Sequence, residues 1–227
     1  MIWVANNLDL IWQLTLVHAR QSILALALGL LLSLPIGWAA WRYRPLRGLL
    51  TGVTGLLYTV PSLALLVIMP VIAGYPAASE TNLIVALTLY ALALLVRSVV
   101  DALDSVDADV RQAAVALGFG GVRRFFAVDL QLAVPVLLSG LRVTAVSTVA
   151  LATVGILVGV ENLGYLFTNG LQRRIIAEVF AGVLAVVVIA LVIDLVLMLL
   201  GRALTPWLRA GAGRAAVAAV DVERRAA

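Results

Sequence analysis

Residues 175–200 read IIAEVFAGVLAVVVIALVIDLVLMLL, and this stretch decides the fold class. An α-helix needs about 20 mostly apolar residues to cross the hydrocarbon core of a bilayer. The run is long enough for that and carries only Glu178 and Asp194 as charged residues. Such a run in one continuous block predicts a transmembrane helix.

The rest of the chain repeats this pattern. Four further apolar blocks of spanning length lie at about residues 22–41, 49–73, 83–100 and 132–160. The last of them is long enough to cross the bilayer at a tilt. Of the 227 residues, 63% are hydrophobic and 12% are charged, against roughly 45–50% and about 25% in ordinary soluble domains. The sequence predicts an all-α, polytopic membrane protein with about five transmembrane helices.

Two segments flank the predicted transmembrane domain, residues 22–206. Residues 1–21 carry Trp3 and Trp12 among scattered polar residues. This is typical of an interfacial, extracytoplasmic segment or of a short lead-in to the first span. Residues 207–227 are rich in alanine, glycine and arginine and are predicted to form a cytoplasmic tail, either mobile or a frayed helix.

The residue inventory excludes several kinds of chemistry. Cysteine is absent, histidine occurs once, as His18, and all 16 basic residues are arginine. The lack of cysteine excludes disulfides, thiolate nucleophiles and cysteine-bound clusters. The lack of lysine excludes a P-loop ATPase and a Schiff-base cofactor. We therefore expect no catalytic residue, bound cofactor or metal site in this chain.

The basic residues predict the orientation. A formal net charge of +4 fits either a nucleic-acid partner or the cytoplasmic loops of a membrane protein. The predicted spans favour the second interpretation. We therefore expect the chain to contact membrane lipid and no nucleic acid. The connections before the second and fourth spans and the segment after the fifth are arginine-rich, whereas residues 74–82 contain none and carry Glu80. The positive-inside rule then places the N-terminus outside and the C-terminus inside, with Arg173 and Arg174 as the contrary signal.

The connection at residues 101–131 is the longest and most polar. Its aspartates at 101, 104, 107 and 109 are spaced by a mixture of two and three residues, which does not keep all four together on one helix face. Helix capping is therefore favoured over a metal site, with Asp107 or Asp109 as the N-cap. A short helix is predicted at 110–117, ended by Gly118. A surface helix with small central residues fits a groove in a partner protein.

This connection resembles a known motif. Gln112-Ala113-Ala114, then Gly118, Phe126 and Pro135, resemble the "EAA" loop of ABC importer permeases. In that family the loop forms a coupling helix that seats in a cleft of the ATPase subunit. The resemblance implies a type I ABC importer permease (MetI-like) fold and a set of ATPase-coupling residues, namely Arg111, Gln112, Ala113, Ala114, Leu117, Gly118 and Phe119.

Three further stretches resemble the osmoprotectant (glycine betaine/choline/carnitine-type) branch. They are TVPSLAL at 59–65, VALTLYAL at 85–92 and SGLR at 139–142, with Asp194 and Leu204-Thr205-Pro206 also fitting. Two departures concern the coupling loop. The family's glutamate is Gln112 here, and its leucine-proline before the fourth span is Leu130-Gln131.

The resemblance implies a function and a set of partners. The chain would be a transport subunit, not an enzyme, in the bacterial plasma (inner) membrane, forming the pathway for a compatible solute. ATP and Mg would bind an ABC ATPase dimer, a second permease subunit would complete the pathway, and a separate solute-binding protein would deliver the solute. A methionine or other amino-acid importer permease is the alternative within this class. Other classes are an ATP-independent channel or carrier and an intramembrane enzyme, but the spans lack the acidic or histidine relays and converging catalytic groups that these need.

Polar residues inside the spans predict two more sites. Proline removes a helical hydrogen bond, and a freed carbonyl in lipid needs a new partner. The second span is therefore expected either to break and line the translocation pathway, or to form a plain proline kink; the residues concerned are Tyr58, Thr59, Pro61 and Ser62. Arg142 in the fourth span is predicted to face Asp194 or Asp129, in a structural role more than in substrate binding, because buried charges are usually paired.

Overall fold

The protein folds as a bundle of helices in a computed structural model that describes residues 2–207, and within this range no strand occurs. A π-helical turn, Phe125–Asp129, precedes α8, and a 3-10 segment, Thr153–Val158, follows it. The predicted tail at 207–227 lies outside the described residues except for Trp207. The helices are α1 (Ile2–Asn6), α2 (Leu8–Arg42), α3 (Arg44–Thr59), α4 (Ser62–Ala73), α5 (Glu80–Asp104), α6 (Ala108–Ala116), α7 (Gly121–Arg124), α8 (Leu130–Ala152), α9 (Gly164–Gln172) and α10 (Ile176–Leu204).

Five segments have the length and composition of membrane spans. Four are continuous: α2, α5, the run Gly121–Val158 and α10. The fifth is the pair α3 and α4, whose axes meet at 108°. This confirms the predicted all-α architecture with about five transmembrane helices.

The first long helix begins well before the first apolar block. Helix α2 starts at Leu8 rather than near residue 22, so most of the predicted flanking segment belongs to the first helix. The polar residues His18, Gln21 and Ser22 lower the hydropathy of this stretch, yet each is almost completely buried against other helices. Hydropathy alone places the start of the apolar block after these residues, because it takes no account of their burial by other helices.

Helix α5 is the centre of the bundle. It packs against α2, α3, α4 and α8, and most of its residues are buried. Two glycines of α2 allow the closest approach: a Cβ atom on Gly29 would lie 2.6 Å from the Cβ of Ala91, and one on Gly37 would lie 2.6 Å from that of Val99. Small residues at such positions let helix backbones pack closely within a membrane.

Helix α10 stands at the edge of the bundle. It packs against α8 and α9, and its buried residues are only Glu178, Gly182 and Ile189. One side of the helix, including Val186, Ala190 and Ile193, packs partly buried against the core, whereas large apolar residues such as Phe180 and Leu184 are exposed. A surface of this kind faces lipid or another subunit.

Candidate coupling site and intramembrane polar sites

Helix α6 is a short surface helix with defined ends. At its start, the Asp107 carboxylate accepts a hydrogen bond from the Asp109 amide at 2.8 Å, which confirms Asp107 as the N-cap. At its end, Gly118 has φ of +83°, its amide donates to the Val115 carbonyl at 2.9 Å, and the Phe119 amide donates to the Ala114 carbonyl at 3.1 Å. This pair of bonds is the Schellman motif, for which glycine is preferred because the left-handed conformation strains other residues. The predicted helix and its stop at Gly118 are both confirmed.

The predicted coupling residues divide between two faces of α6. Gln112 and Ala113 are exposed, and Leu117 just after the helix keeps 78% of its surface exposed. Ala114 is buried, and Arg111 turns toward the bundle. One face is therefore free to meet a partner while the other fixes the helix to the membrane domain.

Arg111 fixes α6 through a buried carboxylate. The Arg111 Nε donates to Asp129 Oδ1 at 3.1 Å, and the Arg124 Nε donates to Asp129 Oδ2 at 3.1 Å. The Asp129 side chain has no exposed surface. Arg111 also donates to the Leu103 carbonyl, and its guanidinium lies 4.8 Å from the ring centroid of Trp41. One arginine thus links α6 to the ends of α2 and α5 and to the start of α8.

The π-helical turn supplies the geometry of this cluster. Its defining bond runs from the Leu130 amide to the Phe125 carbonyl, five residues earlier. A π turn is wider than an α turn and often marks a functional site. Here it places Asp129 within reach of Arg124, five residues before it. We expected Asp129 only as an alternative partner of Arg142. One feature of the sequence could have indicated its partners. Asp129 is the sole acidic residue between Asp109 and Glu161, a range that also contains Arg111 and Arg124.

The second span is broken rather than kinked. Helix α3 ends at Thr59 and α4 begins at Ser62, with the 108° bend between them. The Val60 carbonyl at the break accepts a hydrogen bond from the Tyr90 hydroxyl of α5. Beside it, Tyr58 lies edge-on to Tyr90 with ring centroids 6.2 Å apart, and 47% of Tyr58 is exposed. The structure therefore places an accessible aromatic ring at the break.

Arg142 and Asp194 form a two-pronged ion pair between α8 and α10. The Arg142 Nε donates to Asp194 Oδ1 at 2.6 Å, and its Nη2 donates to Oδ2 at 2.7 Å. The side chains keep 39% and 28% of their surface exposed, because the pair borders an open cavity of about 720 Å³ that Ser139 and Ser147 also line. Of the two partners considered for Arg142, the structure brings Asp194 to it.

A neutral polar network at the opposite end of the bundle was not predicted. The Asn162 side-chain amide donates to Gln21 Oε1 at 3.1 Å and to the Ala152 carbonyl at 2.7 Å. Its oxygen accepts from the Gly164 amide at 2.8 Å. His18 Nε2 lies 3.0 Å from the Val149 carbonyl in the same region. The network ties α2 to the end of α8 and the start of α9. Its members are far apart in sequence, and no spacing rule could have joined them.

The aspartates before α6 have separate roles. Asp107 caps the helix, Asp104 pairs with Arg47 of α3, and Asp101 lies 3.9 Å from Arg97 on the same helix. Within residues 2–207, no group of three or more histidine, cysteine, aspartate or glutamate side chains is arranged to hold a metal ion.

Comparison with known proteins identifies the family. Residues 12–210 match the family described as binding-protein-dependent transport system inner membrane component. The chain is 30% identical over 207 residues to the osmoprotectant import permease protein OsmW of Salmonella typhimurium, covering 90% of this chain and 96% of that protein. It is 28% identical over 190 residues to the glycine betaine/carnitine/choline transport system permease protein OpuCD of Bacillus subtilis, covering 83% and 82%.

Solved structures bear on the fold. An inward-facing structure of the MetNI methionine ABC transporter superposes with a TM-score of 0.77 at 22% identity, covering 87% of this chain and 97% of that one. The predicted permease fold and the resemblance to osmoprotectant permeases are confirmed. The chain belongs to the family of binding-protein-dependent transport system inner membrane components, the permease subunits of ABC importers.

Proposed function

We propose that this chain is the permease subunit of an ATP-driven importer and forms the pathway for a compatible solute such as glycine betaine, choline or a related quaternary amine. The observation that carries the proposal is the similarity, over almost the whole chain, to permeases named for osmoprotectant and glycine betaine/carnitine/choline transport. The bacterial inner membrane is the location that the family description supports.

An ABC ATPase dimer is the partner that would supply energy. The chain has no lysine and so cannot form a P-loop; ATP and Mg would bind the ATPase, and this chain would bind no cofactor. The exposed face of α6, formed by Gln112, Ala113 and Leu117, suits a groove in that partner. The inner side of α6 is tied by Arg111 to three transmembrane helices. Movement of the ATPase groove would therefore be transmitted through α6 and Arg111 to the transmembrane helices.

The orientation follows from the same helix. Arg42, Arg44 and Arg47 lie at the same end of the bundle as α6, since Arg47 pairs with Asp104 and Trp41 contacts Arg111. The positive-inside rule assigns this end to the cytoplasm. The N-terminus would then be outside, and the C-terminus and the coupling helix inside with the ATPase.

The break in the second span is the proposed lining of the pathway. Glycine betaine, carnitine and choline share a trimethylammonium cation, which aromatic faces attract. Tyr58 offers an exposed ring at the break, held beside Tyr90, and Thr59, Pro61 and Ser62 complete the segment. A second permease subunit would close the other side of the pathway, and a separate binding protein would deliver the solute.

Reconstitution tests the proposal. The chain is placed in vesicles with its ATPase and binding protein, and ATP-dependent uptake of labelled glycine betaine, choline and methionine is measured. Replacing Ala113 by tryptophan should lower uptake at least tenfold, because the bulky ring blocks close docking of α6. The matched control is Ala27→Trp, since Ala27 is an exposed alanine of α2 far from α6. Uptake without the ATPase would favour a channel, and uptake of methionine alone would favour an amino-acid importer.

A further inference from the structure

Two adjoining cavities lie between the end of α2 and the segment that precedes α8. The first has a volume of about 300 Å³, and every residue that lines it is apolar. Its lining includes Leu34, Pro35 and Trp38 from α2 and Val122, Phe125 and Phe126 from the facing segment. The second has a volume of about 440 Å³ and is lined by Trp41, Arg42, Arg44, Gly121 and Arg124.

The two cavities lie along the same two segments, and we refer to them together as the crevice, with the apolar cavity as its body and the basic cavity as its mouth. Trp38 and Trp41 are one helical turn apart on α2, and Arg124 and Phe125 are neighbours on the other wall. The same two segments therefore continue from one cavity into the next. Indole rings are enriched at the level of lipid headgroups, and here Trp38 lines the apolar cavity while Trp41 lines the basic one.

The charge at the mouth is positive, and no carboxylate among residues 2–207 pairs with Arg42 or Arg44. No acidic residue lines it. Arg42 contacts only the ring of Tyr43, and Arg44 has no ion pair among residues 2–207. Only Arg124 is partnered, through its Nε and the buried Asp129. Two exposed guanidinium groups are thus available to an anion.

We infer that this crevice binds an anionic phospholipid of the adjacent leaflet, with one acyl chain in the apolar cavity and the phosphate at Arg42 and Arg44. Arginine recognises phosphate with paired hydrogen bonds, and basic pockets beside transmembrane helices bind anionic headgroups. A soluble anion would leave the apolar cavity empty, and a water-soluble partner protein would have no acyl chain to fill it. The inference does not depend on which solute the chain transports.

Tryptophan fluorescence can report the occupant because Trp38 lines the apolar cavity. A full-length chain carrying Trp3→Phe, Trp12→Phe, Trp41→Phe and Trp207→Phe retains Trp38 as its single tryptophan. The assembled complex, with the tryptophans of its other subunits replaced by phenylalanine, is placed in mixed phosphatidylglycerol and phosphatidylcholine vesicles in which only one lipid has brominated chains, at equal bromine content. Bromine quenches tryptophan on contact, so the two vesicle types compare occupancy by the two headgroups.

We expect brominated phosphatidylglycerol to quench Trp38 more strongly, with a preference of roughly fivefold for each arginine at the mouth. The variant Arg42→Gln/Arg44→Gln should lose this preference; both side chains are exposed, so its fold is not at risk. The control Arg173→Gln/Arg174→Gln removes two exposed arginines at the α9–α10 connection and should keep the preference.

Several results would overturn the inference. Equal quenching by the two lipids would show no headgroup recognition, and a preference that survives Arg42→Gln/Arg44→Gln would place it elsewhere. Absence of quenching by either brominated lipid would show that no acyl chain occupies the apolar cavity and would leave only a simple anion site. A preference that appears only without the ATPase would assign the mouth to the protein interface.

Discussion

Two ends of the bundle are each built around one polar side chain that has no exposed surface. At the arginine-rich end this residue is Asp129, held by the guanidinium groups of Arg111 and Arg124. At the opposite end it is Asn162, held by Gln21 and by backbone groups. Asp129 joins the consecutive helices α6, α7 and α8 by charge, whereas Asn162 joins α2 to the distant segment after α8 by neutral hydrogen bonds.

The difference fits the roles that we propose for the two ends. A buried charge is costly without its partners, so the Asp129 cluster is stable only when α6, α7 and α8 are all in place. That property suits an end that transmits force from a docked partner. A neutral amide network is less costly to alter one bond at a time, which suits an end that only needs to hold helices together.

The largest effect is expected from Asp129→Asn. The amide keeps the shape but removes the buried charge, leaving the two partly buried guanidinium groups of Arg111 and Arg124 without a counter-ion. Breaking a buried ion pair in this way costs about 3–5 kcal/mol, so the free energy of unfolding should fall by about that amount. Denaturant unfolding in detergent measures it. The control Asp101→Asn removes an exposed pair with a 3.9 Å separation and should change the free energy by about 1 kcal/mol or less.

The account of the arginine-rich end fails if Asp129→Asn and its control Asp101→Asn lower the free energy of unfolding by the same amount. A small change for Asp129→Asn would mean that the carboxylate does not hold the coupling helix. We also expect ATP-dependent uptake by Asp129→Asn to fall more than its residual folded fraction explains, since α6 would no longer be fixed to the bundle.

A smaller loss is expected from Asn162→Ala. The change leaves the Gln21 oxygen, the Ala152 carbonyl and the Gly164 amide without this partner. We expect a total cost of about 1–3 kcal/mol, because these groups are neutral and a water molecule in the space of the removed amide can bond to them. Combining it with Gln21→Ala should cost less than the sum of the two single changes, because both remove the same hydrogen bond. Additive free energies of unfolding would contradict the network.

The ion pair of Arg142 and Asp194 should give a lesser effect than Asp129, because both side chains are partly exposed in the open cavity. Either single change, Arg142→Gln or Asp194→Asn, leaves one charge unpaired within the span and should lower the melting temperature. The double variant should recover part of that loss. Equal and additive losses would show that the pair does not act as a unit.

The smallest effect is expected from Gln112→Glu, which restores the family's acidic residue. Gln112 is exposed, and surface substitutions usually change the free energy of unfolding by less than about 0.5 kcal/mol. Its melting temperature should therefore match that of the unaltered chain. A large destabilisation would show that Gln112 faces the bundle rather than a partner.

Local patterns predicted much of this fold. The apolar blocks gave the five spans, and the alanine-rich stretch with Gly118 gave α6 and its end, because capping and left-handed glycine are properties of neighbouring residues. Pro61 marked the break in the second span for the same reason. The charge of Arg142 inside a span required a partner, and Asp194 was one of the two considered.

Contacts between distant residues could not be predicted in this way. The pairing of Asp129 with Arg111 and Arg124 depends on a π turn, for which the sequence has no reliable signal. The early start of α2 depends on burial of His18 and Gln21 by other helices. The cavities beside α2 form only when the segment before α8 folds back against it.

Cross-linking tests the central claim, that α6 is the ATPase-binding helix, most directly. The chain has no cysteine, so Leu117→Cys, at a side chain that is 78% exposed, gives a single thiol beside α6. In the reconstituted complex, a short bifunctional maleimide should join this thiol to a cysteine in the ATPase groove. Leu31→Cys, at a side chain of α2 that is 66% exposed, should give no such product. Reaction of Leu117→Cys with a membrane-impermeant thiol reagent added outside intact cells, with no product to the ATPase, would contradict the claim.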